Sequence, residues 1–134
     1  MKGHKSWEEK LNKVQDWKVV DGNKRYPGQM LIPTPKQVDA AVCEIPLGAV
    51  STPALIRQVL AARCGADTTC PLCVGIFLRI SAEAAAERSE RGSLDVTPYW
   101  RVVDGKGRHY AKWPGGREGQ DAILQAELGP LTLS

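Results

Sequence analysis

The chain has 134 residues, of which 43% are hydrophobic and 25% are charged, and its formal net charge is +3. This length suffices to bury one hydrophobic core, and the composition excludes a disordered chain. No segment approaches the roughly 18 apolar residues of a membrane span, and the N-terminal segment lacks the apolar run of a signal peptide. We therefore expect a cytoplasmic monomer without membrane contact. The mild positive charge permits nucleic-acid binding but does not indicate it.

Residues 1–33 are predicted to form an N-terminal arm, and residues 34–134 a single domain. In the arm, Ser6 is suited to cap a short helix in which Trp7, Leu11 and Val14 have helical spacing. Residues 19–33 are rich in turn-forming residues, which predicts irregular structure there.

Two helices are predicted at the start of the domain. Thr34 is a good N-cap for a helix that runs to about Glu44, and Ser51 or Thr52 caps a second helix that Gly65 ends. Each has an apolar stripe, which predicts that Val38, Ala41, Val42 and Ile45 are buried in the first helix and Leu55, Ile56, Val59 and Leu60 in the second.

A third helix is expected to begin at Thr68 or Thr69 and to end at Gly92, with an alanine-rich second half that faces solvent. The final helix covers residues 117–129, with Ile123 and Leu124 inward and Gly129 as its stop.

Between these last two helices the sequence TPYWRVVDGKGR favours extended chain. Pro98 disfavours helix at Thr97, YWRVV has strand propensity, and DGKG suits the turn of a hairpin with residues 108–113. In a strand, Tyr99 and Trp100 point to opposite faces. The predicted fold is therefore mainly α with a small β-hairpin.

The four cysteines are expected to be free thiols, because the cytosol is reducing. Cys70 and Cys73 form a CxxC pair with Cys64 nearby, but no second pair completes a usual zinc site, so we expect no metal. The two histidines are isolated and are predicted to be surface residues: His4 and His109.

The order of motifs from residue 38 to 129 resembles the DNA-binding domain of the O6-alkylguanine-DNA alkyltransferases, and most closely the alkyltransferase-like proteins. The similarity lies in the successive segments IPLGAVSTPALIRQVLA, CVGIFLR, TPYWRVV, WPGG and QDAILQAELG. It implies a winged helix-turn-helix-like domain that binds double-stranded DNA through the minor groove, with no cofactor.

The resemblance also implies that alkyl transfer is lost. Tyr99 stands at the position of the family's alkyl-accepting cysteine, Trp100 at that of its histidine, and Glu127 at that of its glutamate. A phenol with a pKa near 10 is a poor substitute for a thiolate, and an indole N–H only donates. These three positions are degenerate, and we predict no catalytic residue.

Two sets of binding residues follow from the resemblance. Leu72 replaces the arginine that the family inserts into the base stack, and Pro53 replaces a tyrosine that rotates the nucleotide. The expected DNA-contacting residues are Ser51, Thr52, Arg57, Leu72, Cys73, Gly75, Arg79 and Arg101. The expected pocket for a flipped base is lined by Leu78, Tyr99, Val102, Trp113 and Pro114.

Two functions remain open at this point. The first is a non-catalytic protein that binds an O6-alkylated or otherwise damaged guanine and marks it for a repair partner. The alternative is a degenerate member of the fold that binds a protein or a small molecule, which the replacements Leu72 and Pro53 favour.

Overall fold

The computed structural model describes residues 6–132, with side chains through residue 128. The elements in chain order are helix α1 (Trp7–Leu11), strands β1 (Lys18–Asp21) and β2 (Gln29–Ile32), helices α2 (Pro35–Cys43) and α3 (Pro53–Arg63), strand β3 (Thr68–Thr69), helix α4 (Pro71–Glu90), a 3₁₀ helix (Tyr99–Arg101) and helix α5 (Gly116–Thr132). The architecture is mainly α with a small three-stranded sheet. The predicted fold class is confirmed at this level.

The first helices begin where the sequence predicts. The Ser6 and Thr34 hydroxyls each accept the backbone N–H of the residue three positions later. The side chain of that later residue in turn accepts the backbone N–H of the capping residue, so each helix start is a capping box. Thr52 caps α3 by accepting the N–H of Leu55 at 3.2 Å. These caps supply partners for helix N–H groups that would otherwise have none.

The N-terminal arm is more ordered than expected. β1 pairs with β2 in antiparallel register, with Val19 opposite Leu31, and Leu31 is fully buried in the core. The turn-forming residues predicted as irregular occupy only the connection, where Gly28 has a φ of 91°. The prediction of irregular chain over residues 19–33 therefore holds for the connection, residues 22–28, and is wrong on either side of it, where the chain is paired as strands.

Helix α4 begins later than predicted, at Pro71, with Cys70 as its N-cap. Thr68 and Thr69 instead form β3, which pairs in parallel with Met30 and Leu31 of β2. The Thr69 hydroxyl donates to the carbonyl oxygen of Arg57 at 2.8 Å, which ties this short strand to α3.

The second half of α4 is buried, so its predicted solvent exposure is wrong. α1 and α2 both pack against this helix, and its inward residues include Ser81, Ala82, Ala84 and Ala85. Short side chains allow neighbouring helices to come close, so an alanine-rich segment suits a central helix here.

Several predicted core positions of α2 and α3 are confirmed: Val38, Ala41, Val42, Ile45, Ile56 and Leu60 are buried. Leu55 and Val59 are instead exposed, and so is Ile123 of α5, while its neighbour Leu124 is buried. The buried faces of α3 and α5 are thus narrower than their apolar stripes.

The predicted hairpin does not form. Tyr99–Arg101 is a single 3₁₀ turn, and the following Val102 makes one isolated bridge with Ser51. The DGKG segment does turn, with the Gly107 N–H bonded to the Asp104 carbonyl at 2.9 Å. Strand propensity is overridden at Tyr99–Arg101, where the Arg101 N–H bonds back to the Pro98 carbonyl at 3.0 Å and closes the 3₁₀ turn.

Two further corrections concern the end of the domain. Helix α5 continues to Thr132, so Gly129 does not stop it. His109 is buried, with Nε2 at 3.2 Å from the carbonyl oxygen of Trp100, whereas His4 lies outside the described residues.

Candidate functional site

One face of the N-terminal half of α4 is open to solvent. Leu72, Gly75, Ile76 and Arg79 follow the spacing i, i+3, i+4 and i+7, which places them in one row along the helix. Leu72 is 72% exposed and Ile76 is 50% exposed. A Cβ added at Gly75 would meet nothing within 4 Å. We call these four residues the α4 row.

Helix α1 borders the α4 row. Two cations lie over the Trp7 ring, with Lys10 Nζ 4.1 Å and Arg79 Cζ 5.6 Å from its centroid. Arg79 also forms an ion pair with Glu83 at 3.4 Å, and 48% of its side chain remains exposed. Trp7, Lys10 and the α4 row line an apolar groove of about 580 Å³.

Polar contacts join helix α1 to α4. The Glu87 carboxylate accepts the backbone N–H groups of Trp7 at 3.1 Å and Glu8 at 2.9 Å. These N–H groups lie at the start of α1, where a helix favours an anion. Glu8 in turn pairs with Arg91.

Four further residues predicted to contact DNA lie outside the α4 row, and they differ in how far their groups are engaged by the protein. The Thr52 side chain is engaged in capping α3, and the Ser51 backbone bonds to Arg101 and Val103. The Arg57 side chain is half-buried, and no ion pair to it is found among the described residues. Cys73 is half-buried beside the α4 row.

Arg101 is enclosed by protein and is not free to reach a groove. Its Nε and one terminal nitrogen donate to Glu127 at 3.0 and 2.7 Å, and the other terminal nitrogen donates to the Ile45 carbonyl at 2.7 Å. The Arg101 and Glu127 side chains are only 14% and 13% exposed. The structure therefore places Arg101 in an internal ion pair rather than on the surface.

Trp100 and Glu127, two of the three degenerate positions of the predicted active site, are in direct contact. The indole Nε1 donates to Glu127 Oε1 at 2.8 Å. Burial alone would raise the pKa of the Glu127 carboxyl, but hydrogen bonds from Arg101 and Trp100 and the charge of Arg101 outweigh it, so its pKa lies below the ordinary value. The carboxylate is thus held ionised and fully engaged.

Tyr99 is buried rather than facing an open site. It is 8% exposed and meets Trp100 edge to face, with ring centroids 5.2 Å apart. Burial, together with the nearby charge of Glu83, raises the pKa of its phenol. The predicted placement of the two aromatics on opposite faces is therefore wrong, since a 3₁₀ turn does not alternate successive side chains as a strand does.

The residues predicted to line a base pocket pack together instead. Leu78, Tyr99, Val102 and Trp113 all belong to the hydrophobic core. Trp113 stacks on Tyr110 with ring centroids 4.2 Å apart, and Pro114 follows it at the partly buried start of the glycine pair. A base would reach these residues only if the core opened.

The cysteines do not come together as metal ligands. Among residues 6–132, no group of three or more histidine, cysteine or acidic side chains is placed to hold a metal ion. Burial and the Cys70 thiol raise the pKa of Cys73 to about 11, so this thiol is protonated at neutral pH.

A second opening, which the sequence did not reveal, lies near the C-terminal end of α4. This cleft of about 690 Å³ is bordered by α2, the end of α4, the loop before the 3₁₀ helix, and α5. Lys36, Asp39 and Cys43 of α2 lie on its wall with Arg88 and Trp100. The one feature of the sequence that could have indicated this cleft is the set of polar residues at helical spacing on α2. Such a polar helix face usually contacts solvent alone, so it does not predict a site.

Neither protein-family models nor curated proteins nor solved structures provide a match to this chain. A helix long and apolar enough to cross a membrane is not found within residues 6–132.

Proposed function

We propose that this chain is a non-catalytic DNA-binding protein of the alkyltransferase-like type, in which α3 and α4 act as a winged helix-turn-helix-like pair. The observation that carries this proposal is the solvent-exposed α4 row. The N-terminal half of α4 would enter the minor groove, and a repair protein would act on the marked site.

The chemistry of the α4 row suits a minor groove. Leu72 projects at the first turn of the helix, where an apolar side chain acts as a wedge between base steps. Gly75 leaves the helix backbone uncovered, so that a sugar-phosphate backbone can approach it. Arg79, in the row, and Arg57 of α3 would supply positive charge for phosphates.

The surroundings of Tyr99 and Glu127 support a binding role without alkyl transfer. A phenol whose pKa is raised is a weaker nucleophile at neutral pH than an ordinary tyrosine. The Trp100 indole only donates, and its donor is engaged by Glu127. We propose that an O6-alkylated guanine is bound after the part of the core that contains Tyr99 and Trp113 opens.

A second candidate is a protein-binding module, which the apolar character of the surface favours. Besides Leu72 and Ile76, four large apolar side chains are exposed on and before α3: Leu47, Val50, Leu55 and Val59. Exposed apolar patches of this kind mark protein interfaces more often than DNA interfaces, which are polar and positively charged.

Fluorescence anisotropy with labelled duplexes separates the two candidates. The first predicts binding that weakens steeply with salt, and tighter binding to a duplex with one O6-methylguanine than to the matched plain duplex. The double variant Arg57→Glu/Arg79→Glu should abolish binding. The control double variant Lys24→Glu/Lys36→Glu makes the same change of charge away from the proposed DNA contacts and should still bind. Absence of binding at low salt would leave the protein-binding candidate.

A further inference from the structure

Cys70 and Cys73 lie together at the start of α4. Cys70 is the N-cap of this helix, and its Sγ accepts the backbone N–H of Cys73 at 3.3 Å. The thiols of the two residues are also in hydrogen-bonding contact. The Cys70 side chain therefore folds back over the first turn of the helix and places its sulfur beside that of Cys73.

The backbone of this turn permits a disulfide between the two residues. Residues three positions apart at a helix start have Cα atoms about 5 Å apart, as the rise and radius of the helix require. Disulfides span Cα separations of roughly 4.4–6.8 Å. Both side chains are only half-buried, so a small molecule can reach them. Two sulfurs already in contact need only a short movement to form a bond.

The other two cysteines contact different partners. The exposed Cys43 thiol donates to Thr97 Oγ1 at 3.6 Å, and Cys64 Sγ accepts the side-chain N–H of Gln37 at 3.6 Å. Among the contacts of the described residues, a thiol meets a thiol at the start of α4 and not at these two positions. The fold thus singles out one of the possible cysteine pairs.

We propose that Cys70 and Cys73 form a reversible oxidation site, a dithiol that closes to a disulfide by exchange with a small-molecule disulfide. Leu72 of the α4 row lies within the ring that this bond closes, so the oxidation state of the pair acts on the first turn of that row. The site rests on the geometry of the turn and does not depend on DNA binding.

The exchange has two steps. The Cys70 thiolate attacks one sulfur of the small disulfide, which forms a mixed disulfide and releases a thiolate that takes up a proton. Cys73 then loses its proton and attacks the Cys70 sulfur, which forms the Cys70–Cys73 bond and releases the second small thiol. The pair loses two protons and two electrons, and the small disulfide gains them. Cys73 acts second because its pKa of about 11 keeps its thiol protonated.

The test is intact mass spectrometry of the full chain after equilibration with mixtures of reduced and oxidised glutathione and an acid quench. Closure removes two hydrogens, a loss of about 2 Da. With reduced glutathione in excess, a single thiol such as Cys43 stays mostly reduced, because its mixed disulfide only exchanges one intermolecular bond for another. We expect the wild type to lose this mass and to regain it when a dithiol reductant is added.

The cysteine variants identify the pair. Cys70→Ser and Cys73→Ser should each abolish the loss of mass, and the matched controls Cys43→Ser and Cys64→Ser should retain it. Serine is itself a good N-cap, so Cys70→Ser should leave the start of α4 intact.

The same equilibrium in urea measures what the fold contributes. The equilibrium constant for closure should be about tenfold smaller in the unfolded chain, because the two sulfurs are no longer held in contact. No loss of mass in the wild type, a loss that persists in Cys70→Ser or Cys73→Ser, or an equal constant in urea would overturn the proposal.

Discussion

The indole Nε1 of Trp100 donates a 2.8 Å hydrogen bond to Oε1 of Glu127, and the same carboxylate receives two bonds from Arg101. This arrangement joins α5 to the 3₁₀ helix. In the alkyltransferase family, to which we propose that this chain is related, these positions belong to a histidine and a glutamate that serve the reactive cysteine. Here the carboxylate binds an indole and a guanidinium, and its role is structural.

Loss of the Glu127 charge should therefore destabilise the fold. Glu127→Gln leaves a largely buried Arg101 without its counter-ion, and we expect a loss of about 2–3 kcal/mol in the free energy of unfolding. Trp100→Phe removes one hydrogen bond and should cost about 1 kcal/mol. Urea denaturation measures both, with Glu118→Gln as a control on the exposed face of α5. Equal stability of Glu127→Gln and the control would contradict the structural role.

The same carboxylate predicts a dependence of stability on pH. The folded pKa of Glu127 lies below its ordinary value of 4.5, so between the two pKa values the unfolded chain binds more protons than the folded one. The stabilising contribution is thus complete above about pH 5 and is lost as pH falls through the folded pKa. The stability gap between wild type and Glu127→Gln should shrink in acid, and a gap that stays constant to pH 3 or below would count against this assignment.

We expect the Tyr99 phenol to ionise at a higher pH than an ordinary tyrosine, because its pKa is raised. The difference in phenolate absorbance between wild type and Tyr99→Phe is expected to have its midpoint above the ordinary tyrosine pKa of 10.0.

We also expect no alkyl transfer to the protein. Incubation with a duplex carrying O6-methylguanine, followed by measurement of the intact protein mass, should show no added methyl group. A stoichiometric methyl adduct would show that a transfer residue exists after all.

Gly75 gives a prediction in which stability and binding change in opposite directions. Alanine is a better helix former and has open space at this position, so Gly75→Ala should stabilise the fold by about 0.5–1 kcal/mol. If the helix backbone lies against DNA, the added methyl group should weaken duplex binding several-fold.

Gly119→Ala in α5 is the matched control, since it is also helical and also has nothing within 4 Å of an added Cβ. It should raise stability similarly and leave duplex binding unchanged. Equal effects of the two variants on binding would show that Gly75 does not lie in the DNA interface.

The sequence predicts α2 and α3 well because the signals that start them are local. Thr34 and Thr52 cap their helices through side-chain bonds that span only three residues. The sequence fails where distant pairing decides the structure. Thr69 belongs to a strand because β2 lies beside it, and Tyr99 adopts a 3₁₀ turn while the residues after it pair with Ser51.

The candidate sites show the same division. The α4 row follows from helical spacing once the bounds of the helix are known. Three of its four residues were expected from the sequence, and Ile76 was not. The cleft could not be predicted, because Lys36, Arg88 and Trp100 come from three distant segments and only the folded chain brings them to one wall.

Binding of the full chain to paired duplexes, with and without a single O6-methylguanine, tests the proposed function most directly. Fluorescence anisotropy at low and moderate salt should give tighter binding to the modified duplex, a steep decrease with salt, and loss of binding in Arg57→Glu with Arg79→Glu. Equal affinity for the two duplexes would contradict damage recognition, and no binding at low salt would contradict a DNA-binding function.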